Sequence, residues 1–422
     1  MARYPSYQPT NIPWLPEIPE GWELKKVQYL FTERSEKGYP EETPLCSTQA
    51  YGVIPQALYE NRVVVTSKDG LASQKLVLVG DFVISLRSFQ GGIEMAHYRG
   101  VISAAYTILS LKNRGNLAYF RWLFKSHPFI QLLRTCVTGI REGQNINYSM
   151  LSKQSLPIPP LAEQERIVSY LDKQTVKIDK LVAAKTKEIA LLKELREKTI
   201  ADAVTRGLPG THTTFQSTDI HWLPEIPKGW DVKRAKSLFK KEQRSIQAND
   251  EIVTAFRDGQ VTLRKNRRIT GFTEATDYTH YQGIRKGDLV IHQMDAFAGC
   301  AGVSDSDGMG TPVLSVCTPL KENIVDVYYY AHVIRLMGHN GYIQSLARGI
   351  RERSSDFRFD TFSKQHLPVP PLAEQERIVS YLDKQTAKID KAVALLASGI
   401  EHLKAYRERL IADVVTGQQK VE

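Results

Sequence analysis

Two acid-x-lysine triplets stand at matching places in the chain, Glu23-Leu24-Lys25 and Asp231-Val232-Lys233. A carboxylate and an ammonium two residues apart is a pattern that some metal-dependent nucleases use to hold a cation beside a phosphate. Three residues with a free middle are common, however, and no upstream aspartate on a clear strand accompanies either triplet, so packing is the favoured reading. Other catalytic signatures are missing. There is no GxxxxGK[ST] or GxGxxG phosphate loop and no NPPY-like or DPPY-like segment. The histidines, His280, His292, His332 and His339 among them, form no HExxH or i, i+4 pair. Cys46, Cys136, Cys300 and Cys317 are scattered without metal-ligand spacing, as expected of reduced thiols. ATP hydrolysis, methyl transfer and metal hydrolysis therefore have no visible home, and the chain is expected to be non-enzymatic, without metal or cofactor of its own.

What the sequence offers instead is recognition chemistry. In the first half Arg87, Ser88, Gln90, Arg99, Arg141, Gln144, Asn145, Asn147 and Tyr148 fall in loop-like stretches. In the second half "TLRKNRR" supplies Arg264, Lys265, Arg267 and Arg268, and "GIRERSSDFRF" supplies Arg351, Arg353 and Arg358. Arginine can grip guanine with two hydrogen bonds, Asn and Gln can do so with adenine, and any of the basic groups can hold a phosphate. For a single arginine, solvation or phosphate contact is the commoner role. A formal net charge of +10 and a pI near 9.2 suit a polyanionic partner such as nucleic acid.

The elements that must position these residues are written twice. "LPIPPLAEQERIVSYLDKQTVKIDK" begins at Leu156 and returns almost unchanged at Leu367, 211 residues later, and "WLPEIPEGWELKK" from Trp14 returns as "WLPEIPKGWDVKR" from Trp222. Missing such a repeat would misjudge the whole fold. Pro159-Pro160 before "LAEQERI" reads as a helix start, with Glu163 and Glu165 at the positive end of the dipole. The helix should run to Gly207, a left-handed cap; its copy starts after Pro370-Pro371 and stops near Gly417, with Gly399 inside. Each would be about 65–70 Å long if continuous, and a break near "DKQT" is left open. Ile389, Val393, Leu396, Ile400, Leu403, Arg407, Leu410 and Val414 alternate steps of four and three. The matching seam is Ile178, Val182, Lys185, Ile189, Leu192, Arg196, Thr199 and Ala203, poorer because of Lys185. The two arginines either fix register or face solvent. The two helices are expected to pair with each other.

Between the helices lie two variable blocks with strand-like runs such as "NRVVVTS", "QKLVLVGDFVISL", "VISAAYTILSL", "EIVTAF", "RKGDLVIHQ" and "TPVLSVCTPL". Each also holds one helix candidate, "LAYFRWLFKSHPFIQLLRT" and "DVYYYAHVIRLMGHNGYIQSLA". "VGDFVISL" aligns with "KGDLVIHQ", and "TGIRE" with "RGIRE", so the blocks are diverged copies of one fold. No run of about 18 apolar residues is present, which predicts no membrane span and a cytoplasmic protein.

The doubled "LP[IV]PPLAEQERIVSYLDKQT", preceded in each half by "IPEGWELKK" or "IPKGWDVKR", resembles the specificity subunit of type I restriction-modification systems, and the resemblance covers essentially the whole chain. It implies an α+β fold in which two pseudo-symmetric globular recognition domains are separated by two long helices forming an antiparallel coiled coil. The expected layout is a first target-recognition domain over 1–155, a central conserved helix over 156–207, a linker over 208–221, a second recognition domain over 222–366 and a C-terminal conserved helix over 367–422. Such a subunit binds an asymmetric, gapped, double-stranded DNA target. It docks two modification subunits, which carry S-adenosylmethionine and methylate adenine, and restriction subunits, which use ATP and Mg. A rod of this length would set readers about 40–50 Å apart, or roughly 12–15 base pairs. Two other readings stay open: a coiled-coil DNA-binding scaffold without sequence preference, and a nuclease built on the acid-x-lysine pair.

Overall fold

The computed structural model describes residues 2–59, 67–86, 88–112, 116–138, 145–267, 270, 278–346 and 356–421. The chain divides into two compact units, residues 1–186 with 397–422 and residues 187–396. Each unit draws helix from both conserved segments, whereas a linear reading of the sequence assigns one helix to one stretch of chain.

The first unit opens with the hairpin Tyr7–Ile12 and Leu15–Pro19. Its centre is a four-stranded antiparallel sheet in the order Phe31–Arg34, Thr107–Leu111, Phe82–Ile84, Glu94–Met95. The second unit repeats the plan: a hairpin of Phe215–Ile220 with Leu223–Pro227, then a sheet ordered Phe239–Lys241, Leu314–Pro319, Leu289–His292, Ala301–Val303. Both hairpins break register at the same step, between Pro9 and Ile12 and between Ser217 and Ile220. The strand Phe215–Ile220 lies inside the stretch expected to be a linker, because "FQSTDI" supplies the partner that "LPEIP" needs.

Of the strand-like runs, "QKLVLVGDFVISL" is two strands, Lys75–Val77 and Phe82–Ile84, divided where Gly80 takes φ +91°. The run "NRVVVTS" lies, up to residue 66, outside the described residues. Each helix candidate is also divided. "LAYFRWLFKSHPFIQLLRT" forms Leu117–Lys125 and His127–Thr135, with Ser126 extended between them and Pro128 tolerated only in a first turn. "DVYYYAHVIRLMGHNGYIQSLA" forms Val327–His339 and Tyr342–Ser345, interrupted at Gly341, φ +80°. Their apolar faces fill the cores. Phe31, Phe82, Phe120, Phe124 and Phe129 meet in the first unit, with centroids such as Phe124–Phe129 4.8 Å apart. Phe239, Tyr330 and Phe362 do so in the second.

The long helices, Leu161–Arg206 and Leu372–Val415, are uninterrupted through both "DKQT" segments and through Gly399. Each ends before a left-handed glycine, Gly207 at φ +81° and Gly417 at φ +76°, the latter one residue beyond Thr416. In the first unit Asp179 meets Arg407 while Lys185 meets Gly399, so the helices run antiparallel. In the second unit Arg196 meets Asp390, and Ile200, Ala203 and Val204 share a core with Ile378 and Leu382, again antiparallel. The predicted seam is what the helices cover: Ile178, Ile400 and Leu410 are buried, while Val182, Ile189, Leu192, Ile389, Val393, Leu396 and Leu403 are half-buried. The half-burial in the middle follows from two helices alone, which cannot enclose a seam.

Within each unit the repeated segments lock the globular part onto the helix. Trp22, 3% exposed, donates its indole N–H to Glu163 Oε2 at 3.1 Å, and Trp230, 2% exposed, donates to Glu374 Oε2 at 3.1 Å. The other carboxylate oxygen takes Tyr4 in one unit and His212, at 2.5 Å, in the other. Buried Tyr119 gives its hydroxyl to Pro157 O at 2.9 Å or Val415 O at 3.2 Å. In the second unit that duty is shared by Tyr330, to Pro368 O at 3.1 Å, and Tyr329, to Val204 O at 2.8 Å.

Candidate nucleic-acid interface

Reading a base edge requires donors and acceptors that the fold itself has not consumed. The basic clusters singled out by composition are largely engaged. Arg264 and Lys265 stand on the short turn Arg264–Asn266; Lys265 pairs with Glu251 at 2.5 Å. Arg267 pairs with Asp258 at 2.6 Å and stacks over Phe256, 4.4 Å from the ring centroid. Arg358 pairs with Asp356 at 2.6 Å at the start of Phe359–Ser363, and Arg99 with Glu42 at 2.7 Å. The paired side chains of Lys265, Arg267, Arg358 and Arg99 are solvent-accessible, where such pairs contribute only about 0–1 kcal/mol. A phosphate can therefore displace the carboxylate at little cost.

Asn147 caps the helix Tyr148–Leu151, accepting from Met150 N at 3.3 Å, and Asn145 sits exposed on a two-residue strand. Ser88 is buried and accepts from Ser85 N at 2.9 Å. Arg87, Arg141, Gln144, Arg268, Arg351 and Arg353 lie outside the described residues. The acid-x-lysine triplets occupy Glu23–Lys26 and Asp231–Arg234, each paired along its length with the strand that leads into a long helix. Their charges meet each other, Lys25 with Glu23 at 2.6 Å and Lys233 with Asp231 at 3.8 Å. Both triplets are strands with largely solvent-accessible charged side chains, joined by their backbones to the approach to a long helix.

Among the described residues the predicted set is not gathered into one patch; Ser88 and Gln90 line one cleft, and further concave surface is lined by residues outside the set. In the first unit a cleft of about 610 Å³ brings exposed Gln90 beside Gln49, Tyr51 and Tyr106. A neighbouring groove of about 730 Å³ runs between the globular part and the helix ends of the same unit. There Arg121 and the Trp122 indole both reach Asp172 Oδ1, at 2.6 and 3.0 Å. On its floor buried Glu94 is held by Lys125, and burial outweighs that ammonium and raises the carboxyl to about 7. In the second unit a cleft of about 780 Å³ is lined by Lys241, Gln243, Arg244, Tyr278, His280 and Tyr281. Its rim residues lie outside the basic clusters TLRKNRR and GIRERSSDFRF, which is why composition does not point to it.

The second unit also fastens its domain to the helix through charge. His339 Nδ1 lies 3.1 Å from Glu197 Oε2, and the His339 contact is the largest of the effects that hold the Glu197 carboxyl below the usual range. His332, on the same helix as His339, is pushed down to about 4 by burial, with Arg335 and Arg196 adding to the effect.

Among the described residues no group of three or more His, Cys, Asp and Glu is arranged to hold a metal ion, and no helix is long and apolar enough to cross a membrane.

Residues 19–191 match the family described as the type I restriction modification DNA specificity domain. The chain is 20% identical to the EcoBI type I restriction enzyme specificity subunit of Escherichia coli over 65% of its own length, and spans only 60% of that protein. It is 23% identical to a Methanocaldococcus jannaschii protein bearing the MjaX specificity-subunit designation, over 96% of this chain and 95% of that one. In fold it is similar to the HsdS subunit from Thermoanaerobacter tengcongensis, with a TM-score of 0.55 at 14% identity, over 95% and 98% of the two chains. A chain from a structure of type I R-M complex assembly gives 0.66 at 15% identity, over 94% and 98%. Over nearly its whole length the chain is thus similar to type I restriction-modification specificity subunits, and residues 19–191 carry the match to their DNA specificity domain.

Proposed function

We propose that this chain reads a bipartite, gapped, asymmetric DNA target, one half-site per unit, and carries no catalytic step itself. The observation that carries the reading is the duplication: two units with the same sheet order, the same hairpin irregularity and the same Trp–Glu lock present different side chains on equivalent frames. Duplicated readers address paired half-sites, and readers of unlike surface address unlike ones.

The helices are the docking element for modification subunits that bring S-adenosylmethionine, with restriction subunits bringing ATP and Mg. Besides the covered seam they expose a second apolar stripe. Leu181, Leu191 and Leu195 are each more than half exposed, and Leu395 is 75% exposed. A row of leucines left in water at helical spacing supports a role in binding partner helices. Mixing the purified chain with a modification subunit and duplex DNA tests the reading. Methylation of adenine confined to one gapped sequence is the expected result, and equal modification of random duplexes would favour a scaffold without sequence preference.

A further inference from the structure

The second unit's 780 Å³ cleft has a fixed floor and an uncommitted rim. Gln282, 8% exposed, donates to Leu314 O at 2.6 Å and Thr311 O at 3.3 Å. Gly283 N donates to Arg244 O at 2.8 Å, and a Cβ at Gly283 would sit 2.9 Å from Ser245 O, so the two backbones need that glycine. Arg244 is itself held by buried Asp288, Nη2 to Oδ1 3.1 Å. On the rim the Tyr278 and Tyr281 rings meet edge to face at 5.0 Å. The side chains of Lys241, Gln243 and His280, and both tyrosine hydroxyls, make no hydrogen bond or ion pair among the described residues.

The first unit shows what is frame and what is variable. Lys75 occupies the place of Gln282 and likewise gives its polar end to a carbonyl on the facing side of the sheet, Tyr106 O at 2.7 Å. Yet Leu71, Ser73 and Gln74 stand where the second unit has Tyr278, His280 and Tyr281. The floor's hydrogen bonds recur, with Leu76 N donating to Glu36 O at 2.8 Å as Gly283 N does to Arg244 O, although Lys75 and Leu76 replace Gln282 and Gly283; the rim changes in size, hydrogen bonding and aromatic character.

We infer that the second unit reads the bases of its half-site with this rim, Gln243 and His280 meeting base edges and the tyrosine pair packing beside them. Arg264, Lys265 and Arg267 hold phosphates. The inference rests on the specificity-subunit reading above. Gln243 suits the N6 and N7 of adenine, Lys241 and His280 suit acceptors on guanine, and a ring edge suits the thymine methyl. The wide, polar opening fits a duplex groove, whereas small-molecule sites enclose their ligand in mostly apolar walls.

The test is methylated-adenine sequencing in a methylation-free host that carries the whole system with wild-type, Gln243→Ala, His280→Ala, Tyr281→Phe or Lys265→Ala chain. Wild type should give one gapped motif. Gln243→Ala and His280→Ala should leave one half intact and make a position in the other half degenerate, with discrimination falling about 5- to 150-fold there. Lys265→Ala should weaken modification evenly with the motif unchanged. Gln243 and His280 are exposed, with side chains that make no hydrogen bond among the described residues, so their alanine variants should melt with the wild type, and Tyr281→Phe keeps the half-buried ring and removes one hydroxyl only. An unchanged motif in both rim alanine variants, or a uniform loss of methylation without degeneracy, would overturn the cleft assignment while leaving the specificity reading intact. A wild-type system that methylates no gapped motif would overturn both.

Discussion

Arg196 Nε lies 3.0 Å from Asp390 Oδ1, joining the first long helix to the second within one unit. The residues at the corresponding repeat positions, Arg407 and Asp179, make the same pair at 3.1 Å within the other. Each copy of the helix thus carries an aspartate and, 17 residues on, an arginine that answer each other in antiparallel alignment. The arginines occupy seam positions at which an aliphatic side chain would pack better, so they specify alignment at some expense of burial.

A double-mutant cycle on Arg196→Ala and Asp390→Ala should give a coupling of about 0.2–1 kcal/mol, since Asp390 is 57% exposed. Replacing both arginines with glutamate should do more, setting like charges against Asp390 and Asp179, and should lower the melting temperature steeply at low salt. A cycle that closes to zero would leave alignment to the apolar seam alone.

The Trp–Glu locks are buried and should weigh more. Trp230→Phe leaves Glu374 Oε2 without its donor in a site only 6% exposed, and should cost about 1–3 kcal/mol in urea unfolding. Trp22→Phe should cost a similar amount through Glu163. Wild-type stability in either variant would mean that water replaces the indole.

These locks also mark how far the sequence could be read. Repeated "WLPEIP.GW" and "LAEQERIVSYLDKQT" announce matched packing, because a buried junction tolerates few side chains. The heptad steps place the seam for the same reason. The reading surface gives no such signal. Its residues differ between copies, and an isolated Gln243 or His280 differs from a solvated loop residue only in what the fold sets around it. Clusters such as "TLRKNRR" are conspicuous by charge, yet Lys265 and Arg267 sit beside Glu251 and Asp258, which are distant enough in sequence to go unnoticed as partners.

Acid should loosen the second unit. His332 is held near 4 when folded and near its ordinary value of about 6.5 when unfolded, so between these values the unfolded chain binds the proton. Its contribution is flat above about 6.5 and is lost progressively down to about 4. His332→Asn should therefore be less destabilising, relative to wild type, at pH 5 than at pH 7.5 in denaturant titrations. A difference independent of pH would place no titration at this residue.

If the helices space the two readers, lengthening both should change the gap. Inserting a heptad after Ala190 and another after Ala394 adds about 10 Å while keeping the seam, or roughly 3 base pairs. The half-sites should stay the same and the unspecified interval should grow. A modified motif with its original gap would remove the spacer role.

The central claim, that one chain reads two unlike half-sites for a methylating partner, is tested most directly by sequencing methylated adenines in cells carrying the wild-type system. The account predicts a single asymmetric motif of two short, different specified stretches separated by a fixed unspecified gap. A palindromic or contiguous motif, or adenine methylation without sequence preference, would contradict it.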